Sequence, residues 1–296
     1  MIEDKKGRLD LSQLKGQLET MYSEVKKKAN FLIYGYKGAG KTHTLATAPK
    51  PLLIHSFDPG GTRLRVIQEG VDAGKIMVDT RFEYTDKAFG SKVVPKNKSR
   101  FNIWKDEVNR IGDAGLWDEI ATYAIDSGTF WTDTIMDEIL RDANRVGEAP
   151  TLPEYGKQQI VVRECLSSLL ALPCHFIMTG HIEQVRDDVS GKLYTSLLAT
   201  GKLKAKIPPM FDEFYVCVSE EVEKGAQKGT ERYLLTTNDG KLEAGTRIGS
   251  GKFTKKEEPN IRGLLKKAGY AWEDKTCSVA FSERRQTARL RRWPLS

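Results

Sequence analysis

Apolar residues along this chain gather into short runs that end at glycine, proline or charged turns. Residues 29–34 form such a run, stopping at Gly35, and read as a buried strand. Residues 41–48 then have helical character and end before Pro49. A second strand over 51–56 leads into Phe57-Asp58-Pro59-Gly60-Gly61, a turn by composition. A short strand is expected at 75–79, a polar lysine-rich loop at 85–100 and a helix at 101–116. Residues 122–125 form the next strand, running into Asp126, followed by helices at 129–143 and 155–172. Another buried strand covers 174–179, and 183–195 has hairpin character around Val189-Ser190-Gly191. Late strands fall at 215–219 and 232–236, with a short helix at 260–268. A weakly amphipathic helix at 11–25 precedes all of these. Strands alternating with helices predict an α/β fold with a mostly parallel central sheet flanked by helices. No internal repeat is visible. The expected organisation is a polar lead-in over 1–28, a core over 29–250, and a C-terminal helix with a basic tail over 251–296.

Composition narrows this picture only a little. The 296 residues are 39% hydrophobic and 29% charged, ordinary for a globular chain. No apolar run approaches the length of a membrane span, and the first sixteen residues are charged and polar, unlike a signal peptide. A cytoplasmic protein without a membrane partner is expected. Four cysteines (Cys165, Cys174, Cys217, Cys277) include no CxxC pair and read as small buried hydrophobes. The histidines form no HxxxH pattern, so a metal site built by the protein alone is not expected. Net charge is +7, and the last fifteen residues, with five arginines against Glu283, supply +4 of it. That tail suits either a nucleic-acid arm or a solvated terminus.

One motif carries specific chemistry. Gly35, Tyr36, Lys37, Gly38, Ala39, Gly40, Lys41 and Thr42 match G-x-x-x-x-G-K-[ST] in full, between a strand and a helix. A chance match in a chain of this length is about one in a hundred from ordinary residue frequencies. Glycines let successive backbone N–H groups wrap phosphates, and the loop extends to His43. Lys41 is expected to reach the β- and γ-phosphates of ATP, and the Thr42 hydroxyl to ligate Mg²⁺. Asp126, closing an apolar strand, is the expected second metal-holding group; the alternative is an Asp that caps the following helix. Asp58 offers a carboxylate to orient the attacking water, against a purely turn-forming role before Pro59-Gly60. Thr179 and His181 place polar groups at the end of a third strand, at a position similar to that where RecA-like cores sense the γ-phosphate; the alternative for His181 is a satisfied surface residue. Nothing legible chooses adenine over guanine.

Taken together, residues 29–265 resemble phage-encoded RecA-like P-loop ATPases of the single-strand annealing and recombination type, which also carry AAA-type descriptions. The likeness rests on Phe31 to Thr42, on Pro49 to Ile54 running into Asp58 and Gly60-Gly61-Thr62-Arg63, and on Ile125-Asp126-Ser127. It continues through His175 to His181, Thr200-Gly201-Lys202-Leu203 and Arg232-Tyr233-Leu234-Leu235-Thr236. AAA+ ATPases place a glutamate after the metal-holding aspartate, where this chain has Ser127, whereas RecA-like proteins carry an acidic base at the position of Asp58. The resemblance implies an ATP-dependent homo-oligomer that binds single-stranded DNA and promotes annealing or strand exchange, with a single-strand binding protein as a further partner. It also implies a basic residue donated by a neighbouring subunit, for which Arg186, Lys202, Lys204 and Lys206 are candidates; the same segment suits a DNA-binding loop or a solvated hairpin. Basic and aromatic residues between Lys87 and Phe101 suit single-strand binding or a solvated insertion. Two other readings stand beside this one: a small-molecule kinase using Arg141 and Arg145 as a lid, and a nucleotide-switch accessory or loader.

Overall fold

Within the first apolar run, Phe31 and Ile33 face one side and Leu32 and Tyr34 the other, and all four are buried. A strand buried on both faces requires covering layers above and below, which is the arrangement of a helix-flanked parallel sheet. The computed structural model describes residues 11–25, 28–83, 99–186, 193–224 and 227–276. Helix α1 (Leu11–Val25) precedes β1 (Asn30–Tyr34), α2 (Lys41–Leu45), β2 (Leu52–Ser56), α3 (Arg65–Asp72), β3 (Ile76–Asp79), α4 (Arg100–Asp113) and β4 (Thr122–Asp126). Then come α5 (Gly128–Asp142), α6 (Leu152–Leu170), β5 (His175–Gly180), and the paired strands β6 (Ile182–Arg186) and β7 (Leu193–Leu197). A single turn α7 (Leu203–Lys206), long strands β8 (Glu213–Lys224) and β9 (Gln227–Leu235), short β10 (Gly245–Thr246) and β11 (Lys256–Glu257), and α8 (Ile261–Ala268) follow.

The main sheet runs β11-β9-β8-β1-β5-β4-β2-β3, with β10 also on β8. Strands from β8 through β3 are mutually parallel, and β9, β10 and β11 are antiparallel additions at one edge. One face packs on α4, α5 and α6 through Trp104, Trp131, Ile135 and Leu166. The other packs on α2, α3 and α8 through Leu45, Ile67, Ile261 and Leu265. Chain beyond residue 250 therefore joins the same sheet, through Lys256↔Leu235, and the same core.

Several elements differ in extent from their sequence signals. Helix α2 ends at Leu45, and residues 46–48 continue as tighter turns, with Thr47 N on Thr44 O and Ala48 N on Leu45 O. Helix α6 starts at Leu152 instead of 155. Thr151 and Glu154 form a capping box there, a polar signal that apolar periodicity overlooks. Strands β8 and β9 extend well past 215–219 and 232–236, because their outer halves are mostly polar and exposed where described, with Val222 half-buried. Helix α3 is two turns long and sequence reasoning missed it: it buries Ile67, with Val66 packed partly against the core. The turn at Val189-Ser190-Gly191, most of the 85–100 stretch, Cys277 and the arginine tail lie outside the described residues. Cys174 and Cys217 are buried and Cys165 half-buried, all free thiols.

Candidate functional site

Strand β5 lies between β1 and β4, so the C-terminal ends of three parallel strands bring Gly35, Thr179 and Asp126 side by side. The loop after β1 is shaped by its glycines. A Cβ on Gly35 would stand 2.5 Å from the Cys217 carbonyl oxygen, and Gly38 and Gly40 adopt φ of 80° and 105°, a region that disfavours side chains. Lys41 is buried, and its Nζ donates to the carbonyls of Gly35 (2.9 Å) and Tyr36 (3.0 Å). Burial lowers its pKa, and Asp126, Cys217 and Asp58 pull the other way. Tyr36, Lys37, Gly38 and His43 are exposed around the loop, and the Tyr36 hydroxyl accepts from Gln184 Nε2 at 3.0 Å.

Asp126 is buried at the centre of the site. Its Oδ2 accepts from Thr42 Oγ1 at 2.8 Å and its Oδ1 from Thr179 Oγ1 at 2.5 Å. Burial pushes its carboxyl up, the two threonine bonds push it down, and nearby Asp58 adds to the rise. The Asp126 carbonyl also accepts from the backbone N–H of Phe57 (2.6 Å) and Asp58 (3.1 Å), which seats the β2 turn against β4. His181 Nε2 stands 3.3 Å from Asp58 Oδ2, close enough for charge pairing but off line for a hydrogen bond. The His181 ring is edge-on to Phe130 at 5.7 Å, and its backbone N–H donates to Thr129 Oγ1 at 3.0 Å. Lys41, Thr42, Asp58, Asp126, Thr179 and His181 thus lie together at the C-terminal ends of the parallel strands. A hydroxyl and a carboxylate held together are hard oxygen donors of the type that Mg²⁺ takes alongside phosphate oxygens.

A family model described as an AAA domain matches residues 27–248. The chain belongs to that family. It is a P-loop ATPase with an α/β core built on a mostly parallel sheet. No curated protein sequence matches it. Solved structures similar to this AAA-domain protein include a KaiC-like protein from Pyrococcus horikoshii, at 17% identity over 70% of this chain and 78% of that one, with a TM-score of 0.37. The ATPase EscN of the enteropathogenic E. coli type III secretion system matches at 11% identity over 91% and 56%, with a TM-score of 0.45. The RadB recombinase matches at 12% over 70% and 87%, with a TM-score of 0.34.

Other residues singled out in this AAA-domain protein have partners of their own or face solvent. Lys204 Nζ is 3.4 Å from Glu183 Oε1, and Lys206 Nζ donates to Gln159 Oε1 at 3.0 Å, so both are engaged within the chain. Arg186 and Lys202 are exposed. Arg145 holds both oxygens of Glu154 at 2.7 Å and Arg141 lies 3.7 Å from Glu138, so the two arginines considered for a kinase lid brace helices. Sequence reasoning missed Glu83. This buried carboxylate takes Ser56 Oγ (2.7 Å), the Gly60 N–H (3.2 Å) and Thr62 Oγ1 (3.4 Å), fastening the turn that carries Asp58. No motif surrounds it; only its place after β3 could have drawn notice. Among the described residues, no cluster of three His, Cys, Asp or Glu side chains is placed to hold a metal alone, and no helix is long and apolar enough to cross a membrane.

Proposed function

We propose that this ATPase works on DNA, binding single strands as an oligomer and coupling ATP turnover to annealing or strand exchange. The observation that carries the reading is the contact between Asp58 and His181. Asp58 ends β2 beside the phosphate loop, and His181 links β5 directly to β6, the first strand of the hairpin bearing Arg186. A change in what Asp58 faces, such as loss of the γ-phosphate, has a short route through His181 to that hairpin.

In the mechanism that this supports, backbone N–H groups from Gly38 to Thr42 cradle the phosphates, and Lys41 leaves its carbonyl partners to meet them. Thr42 and Asp126 would hold Mg²⁺, which supplies charge neutralisation on the phosphate chain when bound. Asp58 orients the attacking water, and Thr179 keeps Asp126 in place. Burial and the two threonine bonds leave Asp126 little freedom to move, which favours a preorganised site.

The deciding experiment measures ATP hydrolysis with and without single-stranded DNA, together with the mass of the protein in solution. Strong stimulation and an oligomeric mass support the reading. An unchanged rate in a monomer sinks it and leaves a nucleotide switch or loader in its place.

A further inference from the structure

Arg232 sits on β9 and shares a face with Leu234, the face that covers α2 and the phosphate loop. Its stem lies against Gly40: a methyl group on that glycine would stand 3.2 Å from Arg232 Cδ and 3.7 Å from Nε. Cys217 Sγ, which donates to the Ala39 carbonyl at 3.1 Å, stands 3.9 Å from the same point. Burial pushes the Cys217 thiol up, and Thr44, Lys41 and Arg232 oppose it, so two cationic side chains bear on this stretch of loop. Arg232 is exposed and has no hydrogen bond or ion pair among the described residues. A guanidinium whose stem lies against the phosphate loop becomes favourably placed when an anion occupies that loop.

Topology fixes the side from which it approaches. Strands β5, β4 and β2, with Asp126 and Asp58, lie on one side of β1; β8 and β9 lie on the other. We propose that Arg232 is a phosphate-contacting residue supplied by the same chain, gripping the α- and β-phosphates shared by ATP and ADP while Asp126 and Asp58 attend the γ end. Retention of the diphosphate then depends on the edge strand β9, independently of any basic residue from a neighbouring subunit. This rests on the nucleotide site and not on the DNA reading, so a failure of the DNA reading would not alter the outcome below.

Calorimetric titrations with ADP and with a non-hydrolysable ATP analogue test it on the full chain and its variants. Arg232→Ala is expected to weaken both ligands by the same factor, about tenfold for loss of a charge-assisted contact at a solvent-facing position. Arg232→Gln, which keeps the stem against Gly40, should behave like the alanine variant, and Arg232→Lys should recover part of the affinity. Lys41→Ala serves as the reference for a broken phosphate loop. Wild-type affinity of Arg232→Gln for both ligands would overturn the proposal. So would a loss confined to the triphosphate analogue, which would put the guanidinium at the γ-phosphate. Undiminished binding by Lys41→Ala would instead remove the nucleotide site on which the proposal stands.

Discussion

Asparagine at position 58 keeps a side chain able to form the turn before Pro59 and removes the negative charge facing His181. Asp58→Asn is therefore expected to bind nucleotide normally and to lose about a hundredfold or more in turnover, the ordinary scale for a general base. Equilibrium binding and single-turnover hydrolysis, measured side by side, check this; normal hydrolysis would remove Asp58 from the mechanism. Lys41→Ala should fail at the earlier step, with both binding and turnover lost. These residues were legible because phosphate chemistry demands particular atoms at short spacing after a strand. Glu83 and Arg232 were not, because they reach the Asp58 turn and the phosphate loop respectively through space, from sites with no spacing relation to either. Lys204 shows the opposite failure: a plausible basic residue by position, it is occupied by Glu183.

Elements that hold the site are tested through what fastens them. Glu83→Gln loses an acceptor oxygen on a turn whose hydroxyls and N–H group converge on that carboxylate. The expected result is a roughly tenfold fall in kcat with nucleotide affinity unchanged, since the turn carries Asp58 but not the phosphate loop; a fall in affinity alone would count against this role. At α6, Thr151→Ala opens the capping box and should cost about 1 kcal/mol in denaturant unfolding without touching hydrolysis. Strand and helix order was readable from apolar runs, because every strand end at the site is buried on both faces. The outer halves of β8 and β9 were not, since Glu220, Glu221, Thr230 and Glu231 face water and leave no alternation to read.

For the molecule as a whole, two buried histidines set the acid side of stability. Burial lowers His55 and His175 to about 4 from an ordinary 6.5, and His55 also contacts the Tyr123 hydroxyl at 2.9 Å. Both stay neutral in the fold, so the unfolded chain takes up protons first as pH falls. Their contribution is intact above about 6.5 and drains between there and 4, roughly 2 kcal/mol each at pH 5. Urea midpoints at pH 7 and pH 5 should differ less in His55→Gln than in the wild type. Affinity for single-stranded DNA should fall with salt at a log–log slope of about −0.7 per phosphate contact, and removing Arg186 and Lys202 together should flatten it; a flat wild-type response would exclude both. The clasp at the far end of α2 has a consequence for synthesis. Ile261 N–H donates to Thr47 Oγ1 at 2.8 Å, Asp274 Oδ1 accepts from the Lys50 N–H at 2.8 Å, and the Lys275 N–H donates to the Lys50 carbonyl at 2.7 Å. These partners are separated by more than two hundred positions, so an emerging polypeptide makes its phosphate loop early and must wait for nearly all the rest before that loop's helix is locked. A ribosome-bound chain halted before residue 261 should thus hold the motif without the affinity.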